Sequence, residues 1–170
     1  MTSEIEDSLI DDESAARVGT VVATAGGEVN RRDWQRWAAA VGDHNPLWFD
    51  GEYARAHGYR DVICPPMFLQ CAVLGVTALG DLRPDGTTGA ASGSLAFPRA
   101  PRRMAGGENI IFYLPAYHRD QIKMVRTLDS IVEKEGRSGR FVLATLRGEY
   151  RNQDRDLVAE ATTSIIARPL

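Results

Sequence analysis

At 170 residues the chain has the length of one domain built on a single core. An apolar content of 44% with 25% charged residues excludes wholesale disorder, and a net charge of −3 argues against a nucleic-acid surface, which needs cationic groups. No apolar run reaches the roughly 18 residues that span a bilayer, and the N-terminus lacks the basic-then-apolar pattern of a signal peptide. Cys64 and Cys71 share one apolar stretch and read as small core hydrophobes rather than a disulfide or metal pair. The expected setting is cytoplasmic, with no metal, no cofactor and no membrane span.

Residues 1–17 carry six acids and one base and read as an acidic N-terminal arm, leaving 18–170 as the folded domain. Val18 to Val29 alternates β-branched and small residues and predicts a first strand. Asn30 is placed as an N-cap, with Asp33 near the positive end of the helix dipole. Trp34, Trp37, Ala38 and Val41 then recur at helical spacing, and Gly42 supplies the C-terminal glycine. Asp50 caps a second short helix over Gly51 to His57, which Gly58 ends.

Pro65 and Pro66 suit the start of a helix, and Met67 to Leu79 is apolar nearly all round, with Gln70, Gly75 and Thr77 as exceptions. This predicts a long, buried central helix. Gly80 to Gly107 is rich in glycine and proline and reads as a long loop, interrupted by a short strand over Ser94 to Phe97. Four strands follow, Asn109 to Leu114, Gln121 to Lys134, Arg140 to Asn152 and Leu157 to Ala167. Their short connectors predict an antiparallel meander. Strand, buried helix and antiparallel strands in that order make an α+β domain.

Between the first two helices lies Gly42-Asp43-His44-Asn45-Pro46, a polar turn beside an apolar core. With Asp50 and Tyr53-Ala54 it resembles the signature of the MaoC-like hydratases and dehydratases. Gly106-Gly107-Glu108 leading into Phe112-Tyr113, Lys134 to Gly139, and Glu149 to Gln153 resemble the N-terminal, dyad-poor half of those enzymes. The resemblance implies a single hot-dog fold, a long central helix wrapped by an antiparallel sheet. It also implies an acyl-thioester substrate, carried by coenzyme A or a carrier protein, at a site formed where two such units meet.

Hydrating a double bond conjugated to a thioester needs an activated water, a proton for the α-carbon and stabilisation of the thioester oxygen. Family members use an Asp, and a His five residues later, to activate the water. Asp43 matches the Asp, but Trp48 stands at the His position, and an indole has a donor and no acceptor. His44 is the candidate substitute, while His57 and His118 read as structural or solvent-facing. Asp43 and Asn45 also suit plain turn chemistry, and Trp48 and Phe49 plain packing. Asn45, Trp48 and Gly75 are the candidate acyl contacts, Gly75 by permitting close approach to the helix. Arg99, Arg102 and Arg103 are either a solvated loop or a seat for the phosphates of the thioester carrier.

The leading expectation is therefore a dyad-poor subunit of an (R)-specific enoyl-thioester hydratase or 3-hydroxyacyl-thioester dehydratase, paired with a dyad-bearing hot-dog subunit. A self-sufficient homodimer using Asp43 and His44 is the alternative within the same chemistry. A non-catalytic acyl-thioester binding protein or a thioesterase is the alternative outside it.

Overall fold

The structure is a computed structural model that describes residues 8–75, 78–82, 95 and 97–170. In chain order the elements are α1 (Asp12–Ala16), β1 (Val21–Glu28), α2 (Arg31–Ala40), α3 (Gly51–Ala56) and α4 (Phe68–Val73), then β2 (Arg102–Phe112), β3 (Gln121–Gly136), β4 (Gly139–Arg151) and β5 (Leu157–Arg168). Short 3-10 turns cover Pro46–Trp48 and Leu79–Asp81. No helix among the described residues is long and apolar enough to cross a membrane.

The five strands form one antiparallel sheet in the order β1-β3-β4-β5-β2. The expected meander holds for β3, β4 and β5 but not for β2, which pairs with β5 at the far edge. β2 also starts at Arg102 rather than Asn109, because the cross-strand partner that holds it lies far off in sequence. The segment 113–120 is therefore no hairpin turn. It crosses the end of the sheet, tied by Cys64 N–H to Ala116 O at 2.8 Å and by Val29 N–H to Asp120 O at 2.9 Å.

On β4, buried Val142, Ala144, Leu146, Gly148 and Tyr150 alternate with more exposed residues, the period-two pattern of a sheet with one covered face. Two lids cover that face. The first cluster sets Ile122, Met124, Tyr150, Ala159 and Ala161 against Trp34, Ala38, Trp48, Phe68, Leu69 and Val73 from the helical layer. The second sets Leu128, Val142, Ala144, Leu146 and Ala167 against Leu95, Phe97 and Ala100, with Leu9 and Ile10 packed on it. Residues 8–17 of the acidic arm thus include α1 and a docked segment, while the expected Ser94 to Phe97 strand lies largely outside the described residues.

The helix expected over Met67 to Leu79 is shorter, six residues from Phe68 to Val73. Leu74 turns extended (φ −78°, ψ 123°), Gly75 follows, and Leu74 and Leu79 are exposed, so burial does not hold Leu74 in the helix. Close approach to this helix is made at Gly27 of β1 instead of Gly75. A Cβ on Gly27 would lie 1.9 Å from the Ala72 carbonyl oxygen, whereas one on Gly75 would meet nothing within 4 Å. Cys71 points outward, correcting the expectation of two core cysteines; only Cys64 is buried.

Candidate functional site

The turn after α2 is built by local rules. Asn30 caps the helix by accepting from Arg32 N–H, and Trp34 and Ala38 are fully buried. Trp37 is half-buried, and Val41 is the C-cap and exposed, so the buried stripe ends earlier than its spacing suggests. Gly42 takes φ +73°, with Gly42 N–H on Ala39 O at 3.3 Å and Asp43 N–H on Ala38 O at 2.8 Å. That double closure is a Schellman motif, which only a residue tolerant of positive φ completes without strain.

The Asp43 carboxylate accepts from Asn45 N–H at 3.2 Å, and Asn45 Oδ1 accepts from Leu47 N–H at 3.0 Å. Both side chains are thus occupied in shaping the turn. Asp43 is half-buried; His44 and Asn45 are exposed. Among the described residues no histidine or carboxylate shares a hydrogen bond with Asp43, so the structure brings no proton carrier to it.

Trp48 is 6% exposed and lies in the first core cluster. Its carbonyl accepts from Trp34 Nε1–H at 3.2 Å and from Gln35 Nε2–H at 3.1 Å, but its own buried Nε1–H has no acceptor. His57 stacks on Tyr53 at the surface, with Nδ1 2.8 Å from the Tyr53 carbonyl oxygen. His118 Nδ1 accepts from Arg31 N–H at 3.2 Å, capping α2, and does not bond Asp120.

The cavity lies elsewhere. A cleft of about 220 Å³ opens between the irregular run Tyr59 to Pro66 and the crossing segment that follows β2, with Leu69 of α4 and Val158 of β5. Its walls include Cys64, Pro65, Phe112 and Leu114, and its lining does not include Asp43, His44, Asn45, Trp48, Gly75 or the Arg99 to Arg103 group. Burial pushes the Cys64 thiol up to about 12, so it lines the cleft as a neutral, weakly polar wall and not as a thiolate.

Arg99 Nη1–H donates to the Ser8 carbonyl at 2.6 Å and Arg103 Nη1–H to the Leu95 carbonyl at 2.9 Å, while Arg102 is exposed at the start of β2. Two of the three expected phosphate ligands therefore hold the arm and the loop.

Two polar groups escaped the sequence reading. Glu108 on β2 accepts from Gln70 Nε2–H at 2.8 Å and from Thr163 Oγ1–H at 3.0 Å, joining α4 to the sheet edge; the polar break at Gln70 in an apolar run was the available signal. Beside them the Tyr150 hydroxyl has its pKa raised by burial, against the pull of Arg126. The second group joins the two walls of the cleft. Arg60 lies 4.0 Å above the Tyr117 ring and 3.5 Å from Asp120, whose other oxygen accepts from Tyr117 N–H at 2.7 Å. Nothing in the sequence links Arg60 to Tyr117, 57 positions on.

Comparison with known proteins agrees with this architecture. The family model for the FAS1-like, dehydratase domain region matches residues 16–161. A UPF0336 protein of Streptomyces avermitilis is 32% identical over 143 residues, covering 83% of this chain and 85% of that protein. Among solved structures, the ChsH1-ChsH2 complex from Mycobacterium tuberculosis superposes with a TM-score of 0.75 at 20% identity, covering 100% of this chain and 94% of the other. The (R)-hydratase PhaJ1 from Pseudomonas aeruginosa gives 0.61 at 20% identity over 90% of this chain and 83% of its own. The sheet order with α4 packed against it is the hot-dog fold.

Proposed function

The chain belongs to the FAS1-like dehydratase family, whose hot-dog relatives are hydratases and dehydratases, and from this we propose that it is a dyad-poor subunit of a hydro-lyase acting on acyl thioesters. In this reading it supplies acyl binding and pairs with a hot-dog subunit that carries an Asp and a His five residues apart. The observation that carries it is Trp48, a buried donor-only side chain at the position where such enzymes hold a base. His44 is exposed and Asp43 is engaged with its own turn, which supports the same reading.

Pairing is supported by β2. Among the described residues this edge strand leaves one row of backbone groups without a strand partner, and Ile111, Phe112, Tyr113 and Leu114 are exposed where it runs into the cleft. A second hot dog laid along that edge would cover them and complete the cleft wall. The neighbour in Mycobacterium tuberculosis is itself a complex of two chains, ChsH1 and ChsH2. The working unit is residues 18–170, with coenzyme A or a carrier protein bearing the acyl group.

The test is crotonyl-CoA hydration by the purified chain, alone and mixed with a hot-dog subunit that carries the intact pair. The expected result is negligible turnover alone and turnover on mixing that depends on the partner's histidine. Robust turnover by the chain alone, lost in His44→Ala, overturns the reading in favour of the homodimer.

A further inference from the structure

We propose that Arg60, held at the rim of the apolar cleft, is an anchor for the phosphate of a phosphopantetheine-type thioester. The proposal rests on the reading of the cleft as an acyl-thioester site and adds the residue that recognises the carrier.

Four observations converge on Arg60. Its chain neighbour Tyr59 lines one wall of the cleft, and its guanidinium lies over Tyr117, the chain neighbour of Ala116, which lines the other. Arg60 and Tyr117 do not line the cleft themselves; their contact ties together the two chain segments that carry its walls. The stacking on Tyr117 and the contact with Asp120 fix its plane, and that pre-organisation lowers the entropy lost on binding. Two-thirds of the side chain is still exposed (67%), so its outer donors face water.

Asp61, next in the chain, has arginine partners of its own and leaves Arg60 to Asp120. Asp61 accepts from Arg31 and from the Val62 N–H, and a Cβ on Gly51 would lie 3.2 Å from both Arg55 Nη1 and Asp61 Oδ1. Arg31 and Arg55 thus gather around Asp61, while Arg60 pairs with Asp120, whose Oδ1 also accepts from Gln153 Nε2–H at 3.5 Å. Asp120 is 8% exposed and already accepts from Tyr117 N–H, so it holds Arg60 in place without covering it. An apolar cleft, with a fixed and exposed guanidinium on the chain segments that wall it, suits a ligand with an apolar end and a phosphate at the other. That chemistry is common to coenzyme A and to the prosthetic arm of a carrier protein.

The experiment is calorimetric titration of the full chain with three hexanoyl thioesters that cannot be hydrated: hexanoyl-pantetheine, which has no phosphate, hexanoyl-phosphopantetheine and hexanoyl-CoA. The wild type is expected to bind the phosphorylated thioesters about tenfold more tightly than hexanoyl-pantetheine, and Arg60→Gln to lose that advantage while binding hexanoyl-pantetheine unchanged. Arg60→Lys, which keeps the charge and loses the stacked plane, is expected to fall between them. Loss already seen with hexanoyl-phosphopantetheine assigns the phosphate shared by both carriers; loss with hexanoyl-CoA alone assigns the nucleotide phosphates. Equal affinity of the wild type for all three overturns the anchor but leaves the acyl cleft standing. A uniform loss across the three ligands in Arg60→Gln makes Arg60 a brace of the rim and also overturns it. Failure of the wild type to bind any of them, both alone and mixed with the dyad-bearing subunit, overturns both readings.

Discussion

The indole N–H of Trp34 donates to the main-chain carbonyl of Trp48 at 3.2 Å, whereas the indole N–H of Trp48, also buried, finds no acceptor among the described residues. Two tryptophans packed in one core cluster thus make opposite use of the same donor. Trp34→Phe and Trp48→Phe remove similar volume, so the difference between them isolates the hydrogen bond. Trp34→Phe is expected to cost roughly 1 kcal/mol more than Trp48→Phe, since only the first breaks a bond. Equal losses in urea unfolding would show the Trp34 bond to be energetically silent.

Gly27 and Gly75 should respond in opposite ways to alanine. The Cβ of Gly27→Ala would collide with the Ala72 carbonyl and push α4 off β1, an overpacking cost of about 2 kcal/mol or more. Gly75→Ala meets open space and should stay within about 0.5 kcal/mol of wild type. Thermal midpoints of the two variants decide it, and a tolerated Gly27→Ala would refute the packing described.

The acidic arm is tethered by a carboxylate whose ionisation favours the folded state. Glu133 has its pKa lowered, first by its hydrogen bond from Arg140 and further by the Leu9 N–H and Ser8 hydroxyl. A depressed carboxylate contributes stability that is complete above its unfolded value, ordinarily 4.5, and lost as the pH falls through the lower folded value. Acidification below 4.5 should therefore release the arm, read as protease cleavage near Leu9, and Glu133→Gln should release it already at neutral pH. A cleavage rate independent of both would show that Leu9 and Ile10 hold the arm by packing alone.

The two thiols should separate cleanly in a disulfide-exchange assay. Cys71 is exposed, and Cys64 is buried with its pKa pushed up to about 12, so little thiolate forms there at neutral pH. One thiol per native chain should react quickly, and Cys71→Ser should abolish that phase. Rapid labelling of Cys64 in the native protein would mean that the cleft opens far wider than its static walls suggest.

What was legible in the chain was what a few neighbouring residues decide. The Asn30 and Asp50 caps and the positive-φ glycine Gly42 were readable because the partner of each backbone group lies within a turn. The antiparallel pairing of β3 with β4 followed in the same way from the short connector between them. The pairing of β2 with β5, and with it the crossing segment that walls the cleft, depends on residues 47 to 66 positions apart. Alternation within a strand is silent about which strand lies beside it. The DHNP turn announced itself through its residue types, yet its side chains turn out to serve the backbone. Arg60 went unnoticed because one arginine among many has meaning only once Tyr117 lies beneath it.

The register shift between Ala105 and Gly107, where Gly107 takes φ +130°, gives the edge strand β2 a built-in punctuation mark. A visiting strand that starts in step with residues 107–112 finds itself out of phase by one on reaching 102–105, its inward and outward side chains exchanged. Edge-to-edge growth into long ribbons is discouraged at that kink, and the stretch left for docking is the short one beside the cleft.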